Sequence, residues 1–194
     1  MMTKMMTIHL VRHGKTDANE KKLYCGATDL PLSANGVAEL AELKARGIYP
    51  AADMYFTSGM ARAAQTLELL YGNVKNIPIP DLAEFNFGQF EMKSYDELKG
   101  NGAYQAWIMD ESGDVACPGG ESRNHFDQRV VRGFAKVIKQ IRESAVIICH
   151  GGVIVSIMER QFPGQRNFYE WQPKPGRGYS LIFADELSAK WRNC

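Results

Sequence analysis

The sequence lacks several features that would assign it to a specialised class of protein. Its four cysteines are widely separated and form no C-x-x-C pair, which favours free thiols in a reducing compartment over a disulfide framework. It has no H-E-x-x-H motif or other tight ligand spacing, so a metal-dependent hydrolase is disfavoured. The net charge is only +1, which gives no reason to expect nucleic acid or an acidic membrane surface as a partner. Any anion-binding site must therefore be local.

Long apolar runs are also missing from the chain. No stretch approaches the length of a membrane span, and the first seven residues lack the apolar core of a signal peptide. We therefore expect a cytoplasmic protein. The 194 residues, of which 45% are hydrophobic and 23% charged, suit a single globular domain over residues 1–194.

Short apolar runs alternate with segments of helical periodicity. The runs predict strands at 7–11, 52–56, 145–149 and 179–183, with a proline-interrupted edge strand at 77–80. Helices are predicted at 33–47, 60–71, 122–142 and 153–160. Such alternation builds mostly parallel sheets with helices on both faces, so we expect an α/β fold with three layers, α/β/α. Residues 85–120 break the rhythm and are rich in aromatics, which predicts a small helical cap inserted beside the core.

Two His-Gly pairs follow directly on predicted strands, one near each end of the chain. His13 follows the strand at 7–11, and His150 follows the strand at 145–149. Ligands of α/β sheets gather where such strands end, so we expect the two imidazoles to share one edge of the sheet. Arg12 places a permanent positive charge beside His13, which lowers the pKa of the imidazole and keeps it neutral and nucleophilic. His150 and the free N–H groups of the helix after it can hold transferring oxygens.

Two further charged residues follow other predicted strands. Arg62 lies near the N-terminus of a predicted helix, where the guanidinium and the helix end together can bind a phosphate. Glu84 lies at the base of the cap among apolar neighbours, a setting that favours the protonated acid that a proton donor needs. Considered alone, Arg62 or Glu84 can equally be an ordinary solvated side chain at the protein surface.

Taken together and in order, these pieces resemble the histidine phosphatase superfamily, in its phosphoglycerate mutase-like branch. The segment Arg12–Asn19 matches the R-H-G-x-T-x-x-N motif of that family. The further matching pieces are Cys25-Gly26, Thr57-Ser58 with Arg62-Ala63, Leu82–Glu84 with Phe87-Gly88, Pro118–Ser122 and Cys149–Gly152. The stretch Phe90-Glu91-Met92 stands where the family has Trp-Glu-Gly, and Lys15 stands where it more often has Glu or Gln.

The resemblance implies a phosphomonoesterase that works through a phosphohistidine and needs no metal or other cofactor. It implies that His13 is the nucleophile and that Glu84 is the general acid. It implies three phosphoryl-binding residues, Arg12, Arg62 and His150. Contacts to phosphate or substrate are expected from Asn19, Cys25, Gly26 and Gly151. The residues expected to orient the histidines are Ser58 and Glu121.

Several functions stay open at this point. The short length and the Pro118–Ser122 stretch resemble small-molecule phosphatases, either α-ribazole phosphatase-like or of broad specificity. The alternative is a 2,3-bisphosphoglycerate-dependent mutase, but residues 85–120 contain only Lys93 and Lys99 as basic residues to retain a second phosphate. A non-catalytic binding protein on the same fold is a third possibility. The expected partner is a small phosphate ester, and the oligomeric state is left between monomer and homodimer.

Overall fold

The computed structural model describes residues 5–185 and 188–194, the side chains of 185, 188 and 189 excepted. The strands are β1 (Met6–Arg12), β2 (Met54–Thr57), β3 (Asn76–Pro78), β4 (Ser144–Cys149), β5 (Gly178–Asp185) and β6 (Ser188–Asn193). The helices are α1 (Asp17–Glu20), α2 (Ala34–Ala45), α3 (Ala61–Tyr71), α4 (Tyr95–Leu98), α5 (Gly102–Ile108), α6 (Arg123–Ile138), α7 (Gly151–Gln161) and α8 (Phe168–Trp171). Short 3-10 turns lie at Pro80–Leu82 and Gly88–Phe90.

The six strands form one sheet in the order β3-β2-β4-β1-β5-β6. The first four run parallel, β5 is antiparallel to β1, and β6 is antiparallel to β5. The mostly parallel sheet predicted from the sequence is therefore confirmed. The register pairs Arg12 with Cys149, so the residues that follow them, His13 and His150, leave the sheet at the same level.

Both faces of the sheet are covered, because successive strand residues point to opposite sides. Leu10 and Ile147 pack in one hydrophobic cluster with residues of α6 and α7. Their neighbours Val11 and Ile148 pack in the other cluster with residues of α2 and α3. Residues 145–149 are all fully buried, which explains why β4 reads as an unbroken apolar run. The three-layer α/β/α arrangement is confirmed.

The cap segment at 85–120 contains α4, α5 and the 3-10 turn at Gly88–Phe90. Phe90, Leu98 and Tyr104 are buried there and pack in the same cluster as β1 and β4. The cap therefore rests directly on the sheet-bearing core, at the edge where the parallel strands end.

The structure differs from the sequence prediction at several boundaries. The predicted helix at 122–142 is wrong at its end, because α6 stops at Ile138. The helix predicted from residue 153 begins at Gly151, directly after His150. Strand β6 was not predicted, since only two of its six residues, Ala189 and Trp191, are apolar. Among the described residues, no helix has the length and apolarity needed to traverse a bilayer.

Candidate active site

The carboxyl ends of the parallel strands bring four of the predicted residues to one edge of the sheet. His13 follows β1, Ser58 follows β2 and His150 follows β4. Glu84 lies beyond β3, after the turn at Pro80–Leu82. The rings of His13 and His150 have centroids 5.1 Å apart at an interplanar angle of 62°. The two imidazoles therefore form one buried pair.

The hydrogen bonding of His13 fixes its tautomer. Its Nδ1 lies 2.6 Å from the carbonyl oxygen of Gly14, which can only accept a hydrogen bond. Nδ1 must therefore carry the proton of the neutral ring, and Nε2 keeps its lone pair. Burial lowers the pKa of His13 to about 3, with further contributions from the charges of Arg62 and Arg12. At neutral pH this imidazole can act as a nucleophile.

His150 has the opposite tautomer. Its Nδ1 accepts a hydrogen bond of 3.3 Å from Nε of Arg62, which can only donate. Its Nε2 therefore carries the proton and donates to Oγ of Ser58 at 2.8 Å. The pKa of His150 is held well below its usual range, first by burial and then by His13 and the neighbouring arginines. This ring is also neutral at pH 7.

Arg62 is fixed in the interior by main-chain carbonyls. Only 1% of its surface is exposed. Its Nη2 donates to the carbonyl oxygen of Gly26 at 2.7 Å, and its Nη1 donates to that of Thr28 at 2.9 Å. These hydrogen bonds fix the position and orientation of the guanidinium beside the two histidines.

Arg12 carries a buried donor with no partner among the described residues. Its Nη1 donates to the carbonyl oxygen of Pro173 at 2.8 Å, but its Nε is buried and makes no hydrogen bond. Burial is the main cause that lowers the pKa of Arg12, and the nearby charge of Arg62 adds to it. A Cβ at Gly151 would lie 3.2 Å from Cζ of Arg12, so glycine leaves the room that the guanidinium occupies. A buried cationic N–H without a partner is a site where an anion oxygen can bind.

Glu84 is held against the start of α7. One carboxylate oxygen accepts the N–H of Gly152 at 3.1 Å, and the other accepts the N–H of Phe85 at 3.0 Å. A Cβ at Gly152 would lie 2.6 Å from the carboxylate, so only glycine permits this contact. Glu84 is partly exposed and faces the same cleft as Arg12.

That cleft has a volume of about 450 Å³, within the usual range for small-molecule sites. Arg12 and Glu84 lie in its lining, together with Asn19, Cys25 and Gly152. Five buried or half-buried aromatic side chains also line it, namely Tyr24, Phe85, Phe87, Trp107 and Phe126. The site thus joins a positively charged, hydrogen-bond-donating region to an apolar wall.

Comparison with known proteins shows the family to which the chain belongs. The family model of the histidine phosphatase superfamily (branch 1) matches residues 8–181. The chain belongs to the histidine phosphatase superfamily. It is similar to the adenosylcobalamin/alpha-ribazole phosphatase of Escherichia coli (strain K12), at 31% identity over 161 residues, which are 80% of this chain and 78% of that protein.

Two further similarities show the range of relatives of this chain. A 2,3-bisphosphoglycerate-dependent phosphoglycerate mutase of Beijerinckia indica subsp. indica is 29% identical over 162 residues, or 77% of each protein. The crystal structure of the alpha-ribazole phosphatase from Shigella flexneri matches with a TM-score of 0.84 at 27% identity, over 96% of this chain and 95% of that chain.

Three other residues predicted for the site, Asn19, Cys25 and Gly26, lie near the cleft with differing contacts. Asn19 and Cys25 line the cleft, but the side-chain oxygen of Asn19 already accepts two hydrogen bonds from Thr16. The N–H of Gly26 donates to the carboxylate of Glu91 and is not directed to a ligand.

Glu121 was expected to orient the histidines, and the structure places it elsewhere. Its carboxylate accepts a 2.7 Å hydrogen bond from Arg129 and a 2.8 Å hydrogen bond from the N–H of Asn86. Within the described residues it makes no hydrogen bond to His13 or His150. Its contacts instead hold the chain on the cap side of Glu84.

Arg129 is a site residue that the sequence reasoning missed. Its guanidinium donates to the carbonyl oxygens of Asp81 and Ala83, both at 2.9 Å, and to that of Glu84 at 3.3 Å. Together with Glu121 it fixes the chain on both sides of Glu84. In the sequence it is one of several basic residues on the predicted helix, and nothing distinguishes it from its solvated neighbours.

Glu91 is the second missed residue. Its carboxylate accepts hydrogen bonds from the N–H groups of Gly26, Ala27, Thr28 and Phe87 and from the Thr28 hydroxyl, at 2.7–3.3 Å. The carbonyls of the same loop face Arg62, so the loop at 26–28 lies between a carboxylate and a guanidinium. The sequence did offer a signal for Glu91, because it is the one residue of the family's Trp-Glu-Gly that is retained in Phe90-Glu91-Met92.

Among residues 5–185 and 188–194, no three His, Cys, Asp or Glu side chains are arranged to hold a metal ion.

The substitution Glu91→Gln should destabilise the protein. The amide N–H₂ that it introduces would face main-chain N–H donors, and unsatisfied buried donors cost about 1–3 kcal/mol. Chemical denaturation should show this loss, and calorimetry should show weaker binding of inorganic phosphate because Arg62 loses its fixed loop. The control is Glu97→Gln, an exposed glutamate in a capping box, which should change stability by less than about 0.5 kcal/mol. Equal stability of the two variants would contradict the bracing role.

The neutral histidines should make stability depend on pH. His13 has a pKa near 6.5 when unfolded and about 3 when folded, so below pH 6.5 the unfolded chain binds a proton that the folded chain does not. The stability is therefore complete above pH 6.5 and is lost as the pH falls toward 3. The free energy of unfolding should fall more steeply in wild type than in His13→Gln, by about 1.4 kcal/mol per pH unit. The two proteins compared at pH 8 provide the reference, and parallel curves between pH 6 and 4 would refute the assignment.

Proposed function

We propose that the protein is a phosphomonoesterase that hydrolyses a small phosphorylated metabolite through a phosphohistidine at His13. One observation supports this most strongly. Arg12 lines the cleft, and its buried Nε has no partner among the described residues. It directly precedes His13, a neutral imidazole whose Nε2 lone pair is free of the Gly14 hydrogen bond. A phosphoryl group would supply the missing acceptor and place phosphorus near the nucleophile.

In the first step, Nε2 of His13 attacks phosphorus and the bond from phosphorus to the ester oxygen breaks. Glu84, as the acid, gives its proton to that oxygen, and the alcohol leaves. Arg12 and Arg62 stabilise the charge on the transferring oxygens. His150 joins them only by turning its single N–H from Ser58 to a phosphoryl oxygen. The covalent intermediate divides a reaction that is among the slowest known without a catalyst.

In the second step, water attacks the phosphorus of the phosphohistidine from the side that the alcohol has left. Glu84, now a carboxylate, accepts a proton from that water, while the bond from phosphorus to Nε2 breaks. Inorganic phosphate leaves, His13 regains its lone pair and Glu84 is again an acid. The N–H groups of Phe85 and Gly152 orient the Glu84 carboxylate through both steps.

The charge of the cleft favours a phosphatase over a mutase. Its described lining holds two arginines, Arg12 and the exposed Arg123, against four carboxylates. Arg123 is engaged already, with Glu159 at 3.0 Å and Asp127 at 3.8 Å. A mutase has to hold a second anionic group of its substrate, and the described outer lining has no unpaired cation for it. Water is therefore the proposed phosphoryl acceptor.

The similarity to alpha-ribazole phosphatases supports this class of substrate, and that to phosphoglycerate mutases makes a mutase the second candidate. In the proposed reaction the protein acts on a small phosphate ester and needs no metal or other cofactor.

Labelling tests the covalent step. Wild-type protein mixed with ³²P-labelled p-nitrophenyl phosphate in EDTA should turn it over and, when denatured during turnover in alkaline detergent, should carry base-stable label. His13→Ala should lose both the label and the activity, because the nucleophile is gone. The control His125→Ala, at an exposed histidine on α6, should keep both. Loss of wild-type turnover in EDTA would favour a metal-dependent reaction, and near-normal activity of His13→Ala would rule out the mechanism.

Replacing Glu84 by Gln tests the proton donor. Alkyl phosphates need a proton on the leaving oxygen, so their kcat/KM should fall at least about 100-fold, whereas that of p-nitrophenyl phosphate should fall less than about 10-fold. The ratio kcat/KM covers only the steps up to release of the alcohol, so it excludes the later attack of water that also uses Glu84. The matched control is Glu159→Gln, a carboxylate in the same cleft that pairs with Arg123. It should change kcat/KM for both substrates to the same small extent. An equal loss of kcat/KM for the two substrates in Glu84→Gln would contradict the role of general acid.

A further inference from the structure

Exposed apolar side chains are concentrated at the mouth of the cleft. Nine large hydrophobic residues are exposed within the described chain, and four of these line the cleft. The four, here called the mouth residues, are Ile108 (47% exposed), Val115 (39%), Phe168 (37%) and Tyr169 (82%). A fifth, Met109, directly follows Ile108 and is 75% exposed. Single exposed hydrophobics need no explanation, but a cluster around one opening indicates a binding surface.

One side of the mouth is formed by the four-residue helix α8. Its last residue, Trp171, is fully buried against Phe162, Tyr179 and Trp191, with ring centroids 5.0–6.2 Å away. A capping box between Asn167 and Glu170 closes its first turn. Because α8 is anchored at both ends, Phe168 and Tyr169 are held outward in water rather than folded into the core.

A second part of the mouth is formed by the end of α5 and the loop that follows. The carboxylate of Asp110 accepts hydrogen bonds from the N–H and hydroxyl of Ser112 and from the N–H of Val115, at 2.6–3.0 Å. This loop is therefore internally braced, and Ile108 and Val115 keep fixed positions at the mouth.

The mouth residues continue the apolar wall of the cleft. Trp107, next to Ile108, packs against Tyr24 and Phe87 with ring centroids 6.1 and 6.0 Å away. Those two rings line the cleft together with Arg12 and Glu84. An apolar surface therefore runs from the reacting groups to the outside of the protein. When the phosphate of an ester is bound at Arg12, the part of the molecule that extends along this surface is the leaving group.

We propose that the mouth residues form a binding subsite for the distal part of an extended, apolar leaving group, one longer than a single ring. This inference rests on the proposed phosphatase function and narrows its substrate class to monophosphate esters of bulky, largely uncharged alcohols. The carboxylates of the outer cleft fit the same class, because they disfavour a second anionic group. Tyr169, the most exposed of the mouth residues, makes the largest contribution to selectivity.

Binding of two phosphonates tests the subsite independently of turnover. Phenylphosphonate and 4-biphenylphosphonate carry the same anionic head, cannot be hydrolysed and differ by one ring. Calorimetry on wild type should give a Kd about tenfold lower for the biphenyl compound, the gain expected from burying one further apolar group. Tyr169→Ala should lose most of that preference and bind phenylphosphonate within about twofold of wild type.

The control variant is Tyr95→Ala, since Tyr95 is also an exposed tyrosine (56%) but does not line the cleft. It should keep the wild-type preference. Equal Kd values of the two phosphonates in wild type would overturn the inference. So would a Tyr169→Ala variant that binds both phosphonates more weakly by the same factor. If sedimentation showed that Tyr169→Ala dissociates a dimer while the preference is unchanged, the mouth would be a subunit contact and the inference would be wrong.

The binding and turnover experiments distinguish failure of the subsite from failure of the proposed function. Wild type that hydrolyses phosphate monoesters but shows no biphenyl preference would retain the function and lose the subsite. Wild type that shows the preference and its loss in Tyr169→Ala, but hydrolyses no ester, would retain the subsite and lose the function.

Discussion

The burial of Arg62 is the constraint on which the rest of the site depends. Removing a guanidinium from water is costly, and the surrounding groups must replace the lost hydration. Here the carbonyls of Gly26 and Thr28 do so, and they can point inward only because the N–H groups of the same loop point to Glu91. The cap that carries Glu91 is therefore part of the charged site as well as a wall of the cleft.

The same buried charge determines the state of the histidines. Arg62 donates to His150, so that ring must accept at Nδ1 and donate at Nε2 to Ser58. Together with burial, the charges of Arg62 and Arg12 lower the pKa of His13. The positive charge thus has two effects, since it can bind an anion and it keeps His13 unprotonated. The proposed phosphoryl transfer requires both.

Much of the fold could be predicted because its signals are local. The unbroken run at 145–149 indicates a strand buried on both faces, and the His-Gly pairs mark where two such strands end. The fold inferences needed only strand periodicity and the rule that parallel strands end together. The family was suggested by the motif at Arg12–Asn19 together with the further matching pieces, among them Arg62, Glu84 and His150, in order along the chain.

The remaining features depend on contacts between distant segments. Glu91 lies more than sixty residues from the loop that it braces, and Arg129 reaches a turn more than forty residues away. Glu121 was placed near the correct region but beside the wrong partner, because motif order does not tell which side chains meet. Strand β6 was not predicted because it is an edge strand with few apolar residues. Its pairing with β5 is what makes this segment a strand.

The hydrogen bond from His13 to its neighbour's carbonyl has a stereochemical consequence. A ring tied at Nδ1 to the main chain at Gly14 cannot turn over, so Nε2 faces the same direction before and after it accepts a phosphoryl group. In the proposed reaction the group would arrive and leave along one fixed line, with inversion at phosphorus each time. Two inversions cancel, so a chiral phosphate would be released with the configuration it had in the substrate.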